Sequence, residues 1–373
     1  MIFDSLLSRA GFTAKASRLH AGVIEDDVMS RKGGIRYATL SSQDKSVGGE
    51  ALSYGVAVDM GASHLRFVLA DTHGQILKEA RERVKSEAGA RGVIAQIREG
   101  IGRLVPETES VRGIAIGVPG AVHPQTGKVF EANNVPGWRE VDLGQELEDA
   151  FRVPVFLDND ANMAAIGEHW RGVAQGVDNF VFIALGTGIG AGVFVNGRIC
   201  RGHSGSAGEI FKMNVDWTRW KDEFPDTGQF ETYVSGLGLA AEGRKVLPSG
   251  NGMNASTLAE ERDARFVFSA MHQGNAQARA LVENTFTMLG VGVANLVSVL
   301  DPELVVMNGG VVQGAPELLL ETVEKVVRRI HPRPPAIRLS SLADKAQIWG
   351  ALSTLLAPAA QSAIRPATLP LNK

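Results

Sequence analysis

The chain has 373 residues, 44% hydrophobic and 21% charged, enough for two lobes each burying its own core. A net charge of −3 gives no electrostatic attraction to nucleic acid or to an anionic membrane. The single cysteine, Cys200, excludes a disulfide framework and a cysteine-rich zinc site.

Residues 1–50 form an N-terminal extension that differs in character from the rest of the chain, with a remnant of a DNA-binding region as one reading of it. They carry seven Lys/Arg against six Asp/Glu and end in a Ser/Gly-rich connector from Ser41 to Gly49. A DNA-binding arm has a clearer basic excess, and no helix-turn-helix pair stands out. The opening MIFDSLLSRAG lacks the cationic start of a signal peptide. No apolar run is expected to reach the roughly 18 residues that cross a bilayer, so a cytoplasmic protein without a membrane partner is expected.

From Tyr54 the pattern sharpens. YGVAVDM reads as a buried strand, Gly61-Ala62-Ser63 as a turn, LRFVLA as a second strand and QILKEARERV as a third. A helix is expected over Gly89–Leu104, then strands at 113–120 and 153–160. ANMAAIGEHW has helical composition, with Asp160 placed to cap it. The second half repeats the plan. NFVFIAL is a strand, GTGIGAG (186–192) a glycine turn, and GVFVNGRIC a hairpin about Asn196-Gly197. A long helix over Ala276–Leu300, a strand over 303–312, a helix over Glu317–Arg329 and a closing helix in IWGALSTLLAP complete the chain, with a loose tail at 361–373. The lobes are expected at 51–155 with 344–360, and at 156–343.

Glycines spaced as in Gly186, Gly188, Gly190 and Gly192 let backbone N–H groups approach an anion, and Thr187 adds a hydroxyl. A dinucleotide fingerprint would have to open a helix, whereas a hairpin comes next here. Asp59, before the turn at Gly61 and Ser63, suits Mg²⁺ carried on phosphates, or simply caps the turn. Asp158-Asn159-Asp160 lies where a strand hands over to a helix, so a carboxylate there can take a proton from an attacking hydroxyl, or cap the helix. Asn133-Asn134 offers amides suited to sugar hydroxyls, or a plain polar loop.

GVPGAVHPQTGKVFEANNVPGW, LDNDANMAAIGE, ALGTGIGAGVFVNGRICRGHSGSAGEI and VVMNGGVV, in this order, resemble the ROK family of bacterial sugar kinases and sugar-responsive repressors. The resemblance covers roughly residues 54–360. It implies an α/β, actin/hexokinase-like (ribonuclease H-like) two-lobed fold with duplicated mixed sheets and a central cleft. It implies Asp160 as catalytic base and Mg-ATP held about Asp59, Gly61, Ser63, Thr187, Gly188, Gly309 and Gly310. Asn134, Asn159, Asp160, Glu209, Lys212 and Glu231 would meet a hexose or amino sugar. Family members tend towards dimers and tetramers.

The sequence departs from the family's pattern in two places. Where the family writes GEIGH and a CxCGxxGCxE cluster that binds zinc, this chain has Gly208-Glu209-Ile210-Phe211-Lys212 and DTGQFETYVSG (226–236). No zinc site is therefore expected, with Trp217 and Trp220 packing that loop instead and Lys212 replacing a His beside the sugar. The first phosphate turn has Ala62, which adds a methyl near the phosphates. An ATP-dependent, glucokinase-like sugar kinase is the leading expectation. The alternative is a sugar-sensing repressor with little or no kinase activity, the one case in which DNA is a partner.

Overall fold

The computed structural model describes residues 53–105, 110–123, 126–132, 135–224, 227–247 and 264–356. The extension 1–50, Asn133, Asn134 and the tail 361–373 lie outside the described residues.

Two five-stranded sheets share one plan. In the first, β1 (Ser53–Met60) is central. It pairs antiparallel with β2 (His64–Ala70) and parallel with β4 (Ser110–Val118). β3 (Ile76–Arg83) and β7 (Val155–Asn159) form the edges, giving the order β3-β2-β1-β4-β7. In the second, β8 (Phe180–Leu185) pairs antiparallel with β9 (Ile189–Val195) and parallel with β11 (Leu304–Asn308). With β10 (Arg198–Ile199) and β12 (Ala336–Leu339) the order is β10-β9-β8-β11-β12. This is the duplicated mixed sheet expected from the repeated strand–glycine–strand pattern. A small ribbon, β5 (Val129–Glu131) with β6 (Arg139–Val141), stands apart.

Both central strands are buried on two faces, as their near-continuous apolar runs require. Val56, Val58 and Met60 of β1 face a core shared with α1 (Gly89–Leu104) and α2 (Leu143–Phe151). Ala57 faces the opposite way, into a core shared with Phe180, Phe182, Leu304 and Val306 of the second sheet. Between the sheets lie α3 (Asp160–Arg171) and the closing helix α10 (Ala346–Leu356), which supply Met163, Ile166, Ile348 and Leu352. The two helices cross backbone to backbone. A Cβ on Gly350 would stand 1.7 Å from the Met163 carbonyl oxygen, and one on Gly167 2.1 Å from that of Ala346.

The outer face of the second sheet is covered by α4 (Gln229–Val234), α5 (Gly236–Val246), α6 (Arg265–His272), α7 (Ala276–Leu300), α8 (Gly310–Gly314) and α9 (Pro316–Ile330). Helix α7 is long and apolar enough to cross a membrane, contrary to the expectation that no run would be. Half of its apolar window is buried inside the fold, however, as for a core helix.

The glycine-rich segment is shorter as a turn than expected. Gly190 and Gly192 belong to β9, and only residues 186–188 connect the strands. Gly192 serves packing, since a Cβ there would lie 2.5 Å from the Ala161 carbonyl oxygen of α3. Val311 and Val312 are helical, in α8, because Gly309 at φ 120° breaks the strand. The hairpin at Asn196 (φ 52°) and Gly197 (φ 71°) forms as a two-residue turn. Cys200 is exposed.

Candidate active site in the cleft between the sheets

A cleft of about 710 Å³ opens between the two halves. Its floor on one side is Asp59 at the end of β1, with Asn159 and Asp160 at the β7–α3 junction. The other side is the Gly186-Thr187-Gly188 turn, Glu209, Glu231, and Asn308-Gly309-Gly310 at the β11–α8 junction. Asp344, just before α10, and Gln347, in its first turn, also line it. Nine of the expected site residues therefore meet in one cavity: Asp59, Asn159, Asp160, Thr187, Gly188, Glu209, Glu231, Gly309 and Gly310.

Three others fall outside the lining. Gly61 donates its N–H to the His64 carbonyl at 2.9 Å and makes the β1–β2 turn, leaving Ala62 as the turn residue on the cleft wall. Ser63 is exposed, and its carbonyl accepts the Val84 N–H. Lys212 is also exposed, its Nζ lying 5.0 Å from the centroid of the Phe211 ring. It reaches the cleft only as a charge that favours ionised Glu209.

The β7–α3 junction is tightly tied. Asn159, rather than Asp160, is the N-cap residue. Its Oδ1 accepts the N–H groups of Ala161 and Asn162, and its Nδ2 donates to the Gly120 carbonyl at 3.1 Å. Asp160 is thereby the first helical residue, with one carboxylate oxygen accepting the Ala161 N–H at 2.8 Å. Burial pushes its carboxyl up to about 7, and the charges of Asp59 and Glu209 push the same way. Burial likewise raises Asp59 to about 6, against the pull of the Arg66 guanidinium. Glu209 and Glu231 are also raised by burial.

The phosphate-like turn is held from behind. The carbonyls of Gly186 and Thr187 accept the N–H groups of Gly236 and Leu237 at the start of α5, at 2.9 and 3.2 Å. Glu231 reaches the turn from α4 and accepts the Ile189 N–H. On the far side, Gly309 passes close to Leu185, whose carbonyl oxygen would lie 2.3 Å from a Cβ there, while Gly310 borders open space. Backbone approach of this kind suits a phosphate-bearing ligand. Among the described residues the lining carries five carboxylates (Asp59, Asp160, Glu209, Glu231 and Asp344) and no lysine or arginine. Such an all-oxygen donor set suits a hard divalent cation carried on phosphates.

The segment 213–224 is organised by polar groups that the sequence reading misses. Gln229 is buried, and its Oε1 accepts the N–H groups of Val215 and Asp216 at 2.8 and 2.7 Å. Tyr233 donates its hydroxyl to Asp216 and accepts from Arg219. Gln229 stands two residues before Glu231, where the family's cluster has a cysteine. Trp217 and Trp220 do not pack the loop, being 80% and 64% exposed. Among the described residues no group of His, Cys, Asp and Glu side chains could hold a metal by itself.

A second pair is also beyond the sequence reading. Buried Asp158 takes Nε and Nη2 of Arg201 on its Oδ2 at 2.9 and 2.6 Å. The only signal for it is an Asp inside an apolar strand.

Comparison with known proteins finds similarity to both kinases and repressors. A glucokinase of Halalkalibacterium halodurans is 32% identical over 317 residues, 79% of this chain and 92% of that one. A xylose repressor of Caldicellulosiruptor bescii is 26% identical over 348 residues, 90% of this chain and 84% of the repressor. Among solved structures, the ROK hexokinase of Thermus thermophilus superposes with a TM-score of 0.67 at 29% identity, covering 81% of this chain and 97% of that one. A ROK family glucokinase of Streptomyces griseus, in complex with glucose and AMPPNP, gives a TM-score of 0.67 at 27% identity, covering 81% and 99%. The sequence model of the ROK family matches residues 55–357, and the chain belongs to that family.

Proposed function

We propose that the protein is a cytoplasmic, ATP-dependent sugar kinase that transfers the γ-phosphate of Mg-ATP to a hydroxyl of a hexose or amino sugar. The supporting observation is the placement of Asp160 in the same cleft as the Thr187-Gly188 turn and the Gly309-Gly310 bend. A carboxylate in that position can take the proton of a sugar hydroxyl as its oxygen attacks phosphorus. Glu209 and Glu231 would accept from other sugar hydroxyls, and Thr187, Gly188, Gly309 and Gly310 would cradle the nucleotide. Asp59 would hold Mg²⁺, which supplies charge neutralisation of the phosphates when bound.

The test is sugar-dependent ADP release across a panel of hexoses and amino sugars, comparing the wild type with Asp160→Asn. Turnover that the substitution abolishes supports the kinase. A sugar that binds by calorimetry yet stimulates no turnover sinks it.

A sugar-sensing repressor is the second candidate, favoured by one observation. The repressor similarity spans 90% of the chain, too much to fit downstream of residue 54, so it extends into the N-terminal extension. Sugar-sensitive retention of a DNA fragment without turnover would move the assignment there.

A further inference from the structure

We propose that Arg201 is a positioning residue, a strap between the two halves of the cleft that fixes Glu209 relative to Asp160. This rests on the kinase reading of the cleft for its catalytic consequence, but not for its structural one. Arg201 follows β10 of the second sheet, whereas Asp158 lies in β7 at the edge of the first. The pair is 15% and 5% exposed at the side chains, so the contact is nearly dry. The carboxylate is saturated. Oδ2 takes two guanidinium N–H groups, while Oδ1 accepts the Asn162 Nδ2 and the Asn159 N–H, each at 2.8 Å.

Both ends of the strap lead to cleft residues. On one side, Asp158 grips the backbone of Asn159 and the side chain of Asn162, the residues that bracket Asp160. On the other, the Arg201 carbonyl accepts the Ala207 N–H at 3.1 Å, and the Gly208 carbonyl accepts that of Ala191. The short loop from Arg201 to Glu209 is thus pinned at both ends. A planar guanidinium with fixed donors transmits orientation as well as charge, which a lysine would not.

The experiment uses the full chain and its only cysteine. A spin label on exposed Cys200 and a second on Gln75→Cys, in the β2–β3 turn, report the distance between the loop and the first sheet. This is measured in the otherwise unchanged protein, in Arg201→Lys, in Arg201→Met and in the Asp158→Asn/Arg201→Met double variant. The double variant removes the uncompensated buried carboxylate, so it keeps a folded protein to compare. The distance distribution should broaden in the double variant and by less in Arg201→Lys. In the same double variant kcat should fall about 100-fold, as expected for misplacement by about 1 Å, with KM for nucleotide unchanged. An unchanged distribution in the folded double variant overturns the strap. A broadened distribution with wild-type kcat overturns its role in catalysis. If the wild type phosphorylates no sugar, the kinase reading falls, and the distance measurement still decides the strap.

Discussion

The Glu231 carboxylate reaches over Gly188, accepting the Ile189 N–H at 2.9 Å and standing 2.3 Å from where a Cβ on Gly188 would project. One acidic side chain thereby fixes the turn and occupies the space a side chain would need. Gly188→Ala should push Glu231 off the turn and reduce sugar-dependent kcat/KM by about 100-fold, the cost of displacing a positioned group by about 1 Å. Calorimetry should record weaker sugar binding alongside.

Asp160 should impose an acidic limb on the rate. With its carboxyl near 7 in the free protein, kcat/KM should climb with pH through about 7 and level off above it. Asp160→Asn should remove about 10²- to 10⁴-fold of the rate, the usual worth of a general base.

The same group should work against folding at neutral pH. Its pKa in the folded state lies above the ordinary 3.8, so the folded chain holds that proton more tightly than the unfolded chain. The resulting stabilisation is complete below about 4 and is lost as pH rises through about 7. Asp160→Asn should therefore be more stable than the wild type by about 4 kcal/mol at pH 8, with the gap closing at pH 4. Urea titrations at the two pH values measure both.

Gly350→Ala should destabilise the protein by about 3 kcal/mol or more, because its Cβ meets backbone on a facing helix and neither helix can yield alone. Gly102→Ala is the matched control. Nothing lies within 4 Å of a Cβ there, and an alanine inside helix α1 should add about 0.5–1 kcal/mol. Chemical denaturation of the two variants beside the wild type reads both changes.

Gln229→Ala should cost about 2–3 kcal/mol, since it strands the N–H groups of Val215 and Asp216 away from their acceptor. A chelator should leave the melting temperature of the wild type unchanged. A drop on chelation would reveal a metal that the Gln229 contacts do not replace.

Much of the fold is legible in the sequence because both central strands are buried on two faces and each is followed by a glycine turn. Helices α1 and α7 fall at the expected residues for the same reason, periodicity set by burial. The misreadings arise where one residue type serves two ends. Gly192 looks like an anion-binding glycine in sequence, yet its reason is the Ala161 carbonyl, supplied by a helix about 30 residues away. Size alone points to Trp217 and Trp220 as the packing residues of their loop, while a buried glutamine organises it through hydrogen bonds. The cap at α3 falls to Asn159 rather than Asp160 because Asp160 already lies inside the helix. Arg201 is invisible in the sequence because its partner lies on the other sheet.

The acidic lining of the cleft has a bearing on traffic through it. On the kinase reading, those of its carboxylates that are ionised would repel a phosphate arriving without its metal, so the metal complex should be admitted in preference to uncomplexed nucleotide. On the same reading, a sugar phosphate released after transfer would face the same acidic lining. The charge that screens entry would then also hasten exit.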